Sequence, residues 1–321
     1  MNGTDPGMAP RPRRIAVLGG TGFVGTAVVS RLAAAGHELR VLTRDPRNGR
    51  PLAVLPTVRI LRADVHDEPT LRQAFTGCDT VINLVGILNE KGFSGAGFAH
   101  AHAELARKTV AQAVAAGATR LLHMSALGAA PEGPSFYLQS KGMAERHVRA
   151  APASLRWTIF RPSVIFGAGD SFMNRFAGLL RLSQGVIPLA RAGARFAPIW
   201  VDDVAAAFAN ALDDRLPDGA PLPGGSSVGR AYDFCGPEIF TLGDLVRLAG
   251  GSAGIRTRVL PLPDAVARLQ ARVMDFVPGK PFSTDNYRSL TVDNVCREDG
   301  CAPLGIVPAS LRALAPTYLR R

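Results

Sequence analysis

The sequence predicts an α/β protein built on a doubly wound parallel sheet. Two observations carry this prediction: short runs rich in β-branched residues alternate with helical patterns over the first half of the chain, and a glycine-rich turn follows the first run. With 321 residues and 47% hydrophobic composition, the chain can bury a large core. After about residue 162, Gly and Pro become frequent and the alternation weakens.

The alternation predicts six strands, with four helices between them. The predicted strands are Arg14 to Leu18, Glu38 to Thr43, Val58 to Arg62, Thr80 to Leu84, Arg120 to Ser125 and Arg156 to Arg161. The predicted helices are Gly22 to Ala35, Glu68 to Phe75, Phe98 to Ala116 and Tyr137 to Ala150. Right-handed crossovers place such strands side by side, so we expect a ligand crevice at their carboxyl ends.

Three segments are expected along the chain. Residues 1–12 form a disordered leader, residues 13–162 form the core, and residues 163–321 form a mixed C-terminal region. We expect the last region to be small and discontinuous and to cover the crevice with a lobe that faces a substrate or partner. It should also return elements to the core near residues 198–212.

The formal charge of +11 raises the question of an anionic partner. The Arg residues are scattered, with no long block of like charge, so no nucleic-acid partner is expected; a peripheral membrane contact stays open. The chain contains no apolar run long enough for a membrane span and no secretory signal pattern. We therefore expect a cytoplasmic protein, with a peripheral place at the inner membrane left open.

The cysteine pattern predicts neither a disulfide framework nor a metal site. The chain has four cysteines, Cys78, Cys235, Cys296 and Cys301. No C-x-x-C pair or His cluster accompanies them, and no secretion signal precedes them. We expect reduced thiols and no bound metal.

The glycine-rich turn predicts a dinucleotide site. Gly19, Gly22 and Gly25 follow the first strand and open the first helix. These glycines permit a tight turn, a close approach of backbone to pyrophosphate and close packing of helix on strand. Together with Thr21 and the pair Phe23 and Val24, they should place phosphates on the free N–H groups of the helix. The turn indicates a Rossmann-type fold; a glycine-rich turn without ligand is the alternative.

The end of the second strand favours NADP(H), with NAD(H) left open. Thr43 occupies the position where an NAD-preferring site places an acid, and Arg44 follows it. A guanidinium can bind the ribose 2′-phosphate, which an acid would repel. Alternatively, Arg44 is a solvated charge and Asp45 reaches the ribose.

Further cofactor contacts are expected at the next strand ends. Asp64 and Val65 follow the third strand, where a carboxylate suits the adenine amino group. Leu84, Val85 and Gly86 follow the fourth strand, where small residues permit a close backbone approach. Because the strands are parallel, these residues should line one crevice.

Three residues form a candidate reactive centre. Ser125 closes the fifth predicted strand, and Tyr137 and Lys141 follow at Y-x-x-x-K spacing. Residues at i and i+4 share a helix face, so the ammonium can lower the pKa of the phenol and also reach the cofactor ribose. Ser125 would bond the substrate oxygen, which together permits proton transfer during hydride exchange. A purely structural Tyr at a helix start is the alternative.

The chain resembles the extended and atypical short-chain dehydrogenase/reductase superfamily over residues 13–210. Four segments resemble, more closely, the nucleotide-binding accessory subunits of respiratory complex I and their bacterial relatives: residues 160–167, 172–176, 198–204 and 284–290. This resemblance implies a tightly held NADP(H), a respiratory-complex or quinone-related partner, and a structural role in the mitochondrial members.

The resemblance also exposes a departure and a further contact. His102 stands where active members of the superfamily carry an Asn that holds the proton-relay water. The imidazole is either an alternative acid–base group or a side chain bonded to neighbouring backbone. Pro162, Ser163 and Val164 match the loop that contacts the nicotinamide in the family.

Three functions follow from these residues. The first is an NADP(H)-binding accessory protein with slow or absent turnover. The second is an active NAD(P)H-dependent reductase or epimerase acting on a small or isoprenoid-like substrate. The third is a regulator that senses NADPH through a partner. Whether the chain is an enzyme is therefore open at this stage.

Overall fold

A computed structural model describes residues 12–278, 280 and 282–319. Apart from its last residue, the leader expected at residues 1–12 lies outside the described residues. The strands are β1 Arg14–Leu18, β2 Glu38–Thr43, β3 Val58–Arg62, β4 Thr80–Asn83, β5 Arg120–Met124, β6 Arg156–Pro162, β7 Ile165–Phe166, β8 Val186–Leu189, β9 Arg195–Phe196, β10 Ile199–Trp200, β11 Arg230–Phe234, β12 Phe240–Thr241 and β13 Arg258–Pro261.

Eleven α-helices accompany these strands in the described ranges. They are α1 Phe23–Ala34, α2 Glu68–Phe75, α3 Ala96–Phe98, α4 Leu105–Ala115, α5 Phe136–Arg149, α6 Met173–Leu182, α7 Val201–Asp213, α8 Leu242–Ser252, α9 Asp264–Met274, α10 Thr284–Ser289 and α11 Leu311–Leu319. Two 3₁₀-helices cover Pro46–Leu52 and Ala302–Leu304, and a π-helix covers Ala99–Glu104.

A seven-stranded parallel sheet forms the centre of the molecule, in the order β11-β6-β5-β4-β1-β2-β3. The order reverses direction at β1 and β4, which places the switch point of the sheet beside the glycine-rich turn. This arrangement confirms the predicted doubly wound fold. The six predicted strands and four predicted helices are found with ends shifted by at most two residues, except in the helix predicted from Phe98.

Two hydrophobic layers cover the sheet. On one face, α1 and α7 pack on side chains that include Val17 and Ile82. On the other face, α2, α4 and α5 pack on the alternate side chains, including Leu18 and Val81. Because a strand covered on both faces is buried at successive positions, β1 is apolar from Ile15 to Leu18 and all four residues of β4 are buried.

The C-terminal region contains its own core and also contributes to the sheet. The third core cluster joins α6, α8 and α11 around residues such as Leu180, Leu245 and Leu311. Strand β11 and helix α7 belong instead to the central layers. The loops of this lobe reach the carboxyl end of the sheet, where Asp285 bonds the start of α5 and Asn294 bonds the end of β6.

Two features differ from the expectations. The helix predicted from Phe98 to Ala116 is interrupted by the π-helix, whose wider turn carries His102. The expectation of four reduced thiols is wrong for two of them, because Cys235 and Cys296 form a disulfide. The two cysteines are separated by 61 positions in the sequence. Local spacing cannot reveal a pair that only the fold brings together. Cys78 and Cys301 are free and buried.

No helix within the described ranges has both the length and the apolar character needed to cross a bilayer. Each of the described helices is instead amphipathic or packed within a layer, which is the usual arrangement around a parallel sheet.

Two glycine substitutions test the close packing of α1 on the sheet. A Cβ at Gly25 would lie 2.2 Å from the Gly19 carbonyl oxygen and 2.6 Å from the Gly20 carbonyl carbon, both backbone atoms. Gly25→Ala should therefore lower the free energy of unfolding by about 1–3 kcal/mol, the usual cost of overpacking. Chemical denaturation followed by circular dichroism measures this change.

Gly178→Ala is the matched control. Gly178 lies within α6, and a Cβ there would meet nothing within 4 Å. Alanine should raise the free energy of unfolding by roughly 0.5–1 kcal/mol because it costs less backbone entropy in a helix. Equal effects of the two substitutions would contradict the close approach at Gly25.

Candidate functional site

The turn between β1 and α1 forms the floor of the candidate site. Gly19 has a φ of +75°, and a Cβ there would lie 3.0 Å from the backbone of Leu84 and Val85 at the end of β4. Gly25 approaches the carbonyl of Gly19 from the first turn of α1. Neither position tolerates a side chain, so the turn lies against both α1 and β4.

The N-terminus of α1 offers unpaired N–H groups to an anion. Gly22 is the N-cap residue, and no side chain caps the helix. The first turn, which includes Phe23 and Val24, contains no acidic residue. Thr21, just before the cap, is half-buried. The positive end of the helix dipole thus points into the crevice beside the turn, an arrangement suited to a pyrophosphate.

The end of β2 presents a free guanidinium beside the crevice. Thr43 is buried, and its hydroxyl donates to the carbonyl of Asp45 at 3.1 Å. Arg44 is exposed and makes no hydrogen bond or ion pair with the part of the chain that the structure describes. Its charge is therefore available to an anionic ligand.

Asp45 does not compete for that ligand. Its carboxylate accepts from Arg47 at 2.7 Å, and this pairing lowers the pKa of Asp45. Arg50 and Arg62 lie close enough to lower it further. Asp45 also caps the 3₁₀-helix that begins at Pro46. The ends of β2 and β3 thus carry an excess of positive charge.

The ends of β3 and β4 form the next side of the crevice. Asp64 is exposed, and one of its oxygens accepts from the N–H of His66 at 2.9 Å, which leaves the other oxygen unpaired among the described groups. Val65 beside it is half-buried. Leu84 is buried beneath the glycine turn. The carboxylate and the apolar side chain together suit the edge and the face of an adenine ring.

Gly86 separates the crevice from a buried lysine. A Cβ at Gly86 would lie 3.3 Å from Nζ of Lys141 and 3.7 Å from Nε2 of His102. Nζ donates to the carbonyl oxygens of Val85 at 3.4 Å and Met124 at 3.2 Å. Burial lowers the pKa of Lys141 to about 8. The ammonium therefore lies between the ends of β4 and β5, directly behind the place where a cofactor would approach Gly86.

Tyr137 stands in the first turn of α5, with its ring edge against two other rings. The centroid of its ring lies 5.6 Å from that of His102 and 6.0 Å from that of Phe98. Burial raises the pKa of Tyr137 to about 12. This direction is opposite to the depression that the Y-x-x-x-K spacing predicts, because burial removes water from the phenolate.

His102 is held by hydrogen bonds at both ring nitrogens. Nε2 accepts from the N–H of Ile87 at 3.0 Å, so Nδ1 carries the proton and donates to Oγ of Ser140 at 2.8 Å. The Ser140 hydroxyl in turn donates to the carbonyl of Tyr137. Burial lowers the pKa of His102 to about 2. The imidazole is thus a neutral link between the β4 loop and α5.

Ser125 is engaged by a side chain that the sequence did not single out. Its hydroxyl donates to Oε1 of Glu145 at 2.6 Å, and both residues are buried. Arg161 binds the same carboxylate through Nε at 2.7 Å and Nη2 at 2.5 Å. The available signal was the spacing of Tyr137, Lys141 and Glu145, which places all three on one helix face.

The loop after β6 has its backbone groups already paired. Pro162 ends the strand, and the N–H of Ser163 donates to the carbonyl of Phe234 at 2.8 Å. The side-chain oxygen of Asn294 accepts from Oγ of Ser163 at 2.6 Å and from the N–H of Val164 at 3.1 Å. Asn294 therefore fixes the loop that the resemblance assigns to the nicotinamide, a role that sequence reasoning missed.

A cavity of about 170 Å³ opens beside α5. Its walls include the rings of Phe93, Phe98 and Phe136 and the charged side chains of Lys280 and Arg288. Asp285 accepts from the N–H groups of Phe136 at 2.6 Å and Tyr137 at 3.1 Å, which fixes the start of α5 against the lobe. Glu90, Asp275 and Asp285 also line the cavity, so three aromatic rings lie beside charged groups of both signs. Such a wall suits a ligand with an apolar part and a polar end.

The sequence matches the NAD(P)H-binding family over residues 19–215. It is 30% identical to the mitochondrial NADH dehydrogenase [ubiquinone] 1 alpha subcomplex subunit 9 of Arabidopsis thaliana, over 94% of this chain and 76% of that protein. It is 34% identical to the ceramide reductase of Caulobacter vibrioides, over 60% of this chain and 58% of that protein.

Solved structures share the whole architecture. The NADPH-dependent quinone oxidoreductase QOR2 of Escherichia coli, solved with NADPH, superposes with a TM-score of 0.73 at 17% identity. The match covers 94% of this chain and 99% of that one. At this identity the likeness concerns the fold, and it confirms the doubly wound sheet.

A buried histidine makes the site region sensitive to acid. His123 on β5 is 2% exposed, and neither ring nitrogen has a partner among the described protein groups. Burial and the charge of Lys141 lower its pKa from 6.5 to about 3. As the pH falls below 6.5, the unfolded chain binds a proton at His123 that the folded chain refuses until about pH 3, so stability is lost over this interval.

His123→Leu should therefore stabilise the protein, and the gain should grow as the pH is lowered from about 7 to about 4. Urea denaturation at a series of pH values measures it. His100→Leu serves as the control, because His100 is half-exposed and pairs with Glu104 at 2.6 Å. A gain for His123→Leu that does not vary with pH would show that the ring is not kept neutral by burial.

Proposed function

Because this chain belongs to the NAD(P)H-binding family and is related over nearly its whole length to a complex I subunit, we propose that it is an NADP(H)-binding accessory-type protein. It holds the dinucleotide tightly and turns it over slowly or not at all. The observation that carries the proposal is an uncapped, glycine-lined helix terminus beside a serine whose hydroxyl is already bonded to Glu145. The bound dinucleotide would stabilise the fold by mass action.

The preference for NADP(H) over NAD(H) rests on charge. Arg44 is free, the neighbouring Asp45 is neutralised by Arg47, and Arg50 and Arg62 add to the local positive charge. A 2′-phosphate would gain charge-assisted hydrogen bonds there, whereas the neutral hydroxyl of NADH would gain little. Thr43 carries no negative charge that would repel the phosphate.

The remaining cofactor contacts follow the crevice from end to end. Asp64 and Val65 would contact the adenine, and Leu84, Val85 and Gly86 would line the path of the cofactor backbone. Lys141 and Tyr137 would reach the nicotinamide ribose, and the loop of Pro162, Ser163 and Val164 would contact the nicotinamide end. A bound dinucleotide would supply a hydride at that end. The residues of this chain would hold the dinucleotide in position.

Slow turnover follows from three side chains that are already engaged. The Ser125 hydroxyl is bonded to Glu145, His102 donates and accepts within the protein, and burial raises the pKa of Tyr137 to about 12. Proton transfer at a substrate oxygen needs a donor free to reach it. Each of these groups would have to give up a bond or a buried position first.

The partner and location belong to the same proposal. The relative named as a complex I subunit supports a respiratory-complex or quinone-related partner. We place this protein in the cytoplasm, peripheral at the inner membrane. The formal charge of +11 favours contact with acidic surfaces.

An active reductase is the second candidate function. The cavity of about 170 Å³ beside α5 supports it, because a reductase needs a space for its substrate and three aromatic rings line this one. The similarity to a ceramide reductase suggests a substrate with long apolar chains. Tyr137 and Lys141 would then act as proton donor and positioning group for a carbonyl.

Arg44→Ala tests the cofactor proposal. NADPH affinity should fall by about 1.5–3 kcal/mol, the range for hydrogen bonds to a charged group, while NADH affinity should change much less. Isothermal titration calorimetry on protein stripped of dinucleotide measures both, and Arg59→Ala, an exposed arginine on β3, is the matched control. The dinucleotide released by denaturing the purified wild-type protein should be NADP(H). Equal losses for the two cofactors would remove Arg44 from the 2′-phosphate.

Tyr137→Phe tests the second candidate. NADPH oxidation with long-chain ketones and quinones should be slow for the wild type; any turnover present should disappear in the variant, with NADPH affinity nearly unchanged. Phenylalanine preserves the ring contacts to Phe98 and His102, so folding should not suffer. Turnover that persists in Tyr137→Phe would exclude the phenol as proton donor.

A further inference from the structure

Helix α9 packs on the protein with its small side chains and exposes its large ones. Ala267 and Ala271 are each 1% exposed and join a small cluster with Ala190 and Tyr287. On the opposite side, Val266, Leu269 and Val273 are 47%, 61% and 57% exposed. Burial normally places large apolar side chains inside, so this orientation needs an explanation.

The exposed apolar residues form one continuous stripe. At about 100° per residue, Val266, Leu269 and Val273 fall within roughly a 60° arc of α9. Phe276 and Val277 follow in the turn after Met274. Phe276 is 80% exposed, and its ring lies 5.5 Å from that of Phe93, which is itself exposed. We call these five residues, together with Phe93, the α9 face. The arc lies well away from the two buried alanines.

The segment that carries α9 has an excess of positive charge. Residues 256–280 include five cations, Arg256, Arg258, Arg268, Arg272 and Lys280. Their two carboxylates are engaged elsewhere: Asp264 accepts from Tyr287 and pairs with Arg268 at 2.7 Å, and Asp275 accepts from the backbone and hydroxyl of Thr284. Arg272 has no bond to any described residue.

A second copy of this chain fits the α9 face poorly. Two such faces related by a two-fold axis would bring the same cations together without free carboxylates between them. Each chain also has a formal charge of +11, which adds to the repulsion. An anionic surface that accepts apolar side chains meets both the charge and the hydrophobicity of the face.

We propose that the α9 face rests on the surface of a lipid bilayer containing anionic headgroups. The apolar stripe would enter the boundary between headgroups and acyl chains, with the helix lying in the membrane plane and the arginines at headgroup level. Such binding combines buried apolar area with electrostatic attraction, and the α9 face supplies both.

The α9 face is continuous with the cavity beside α5. Lys280 donates to the carbonyl of Gly92 at 2.6 Å, and its Nζ lies 4.0 Å from the centre of the Phe93 ring. Phe93 in turn lines the cavity with Phe98 and Phe136. Docking would therefore turn the cavity mouth toward the lipid. The docking rests on the peripheral location in the proposed function and names the surface that would provide it; it does not depend on NADP(H) binding.

Vesicle flotation with the full-length protein tests the docking. The wild type should float with vesicles of phosphatidylcholine and phosphatidylglycerol at low salt, and much less with phosphatidylcholine alone or at high salt. Leu269→Ser with Phe276→Ser should reduce partitioning by at least about tenfold, since each removes a large apolar side chain from the lipid. Arg272→Gln should reduce it by roughly fivefold.

Matched controls lie elsewhere on the surface. Val54→Ser with Leu182→Ser removes two apolar residues that are 79% and 85% exposed, and Arg59→Gln removes one exposed cation. Both should float like the wild type. Equal losses for the control and test variants, or no flotation of the wild type at low salt, would overturn the proposal.

Two further measurements separate the remaining outcomes. Light scattering should give the same mass for the wild type and the double serine variant; a dimer that the variant disperses would make the α9 face an interface between copies and overturn the lipid assignment. NADPH titration of the same samples should be unchanged in every variant. Flotation without NADPH binding would refute the proposed function alone, whereas NADPH binding without flotation would refute the docking alone.

Discussion

The close approach of the first turn to both α1 and β4 is the constraint on which the rest of the structure depends. Gly19 lies against the backbone at the end of β4, and Gly25 lies against Gly19 from the helix side. Any side chain at either position would push α1 away from the sheet. The same contact that packs the helix also directs its N–H groups into the crevice, so stability and ligand binding share one set of atoms.

The polar interior between the sheet and helices α4 and α5 is the second determinant of the site. Strand carbonyls hold Lys141, the Ile87 amide and Ser140 hold His102, and Glu145 with Arg161 holds Ser125. Lys141, His102 and Ser125 are thus satisfied by the protein itself, as burial demands. By contrast, His123, Thr80 and Thr109 have buried side-chain atoms without a partner among the described residues. Groups paired this way hold a cofactor in place more readily than they release protons.

The elements of the sheet could be predicted because their sequence signals are local. Strand β1 is apolar from Ile15 to Leu18, β4 has Val81 and Ile82 at its centre, and α1 begins at a glycine motif. Strand β11 was missed, since its sequence Arg230–Phe234 includes charged residues and follows a long Gly- and Pro-rich loop. Its register beside β6 depends on the fold rather than on its own pattern.

Within the site, the sequence predicted which residues follow the strands. It could not predict the hydrogen-bond partners of their side chains. The spacing of Tyr137 and Lys141 was visible, but the direction of the Tyr137 pKa depends on burial, which no spacing reveals. Asn294 and the disulfide between Cys235 and Cys296 act across long sequence separations. The π-helix at His102 arises from packing against α5 and leaves no periodic signature.

The loop between β4 and α3 connects the two functional regions of the molecule. At one end, Gly86 and Ile87 contact Lys141 and His102 in the site. At the other end, Phe93 contacts Phe276 on the α9 face. Glu90, between them, is buried and accepts from the N–H groups of Gly95 and Gly97, which fixes the loop as one unit. The loop thus joins the α9 face to the residues that surround the cofactor position, through contacts at both of its ends.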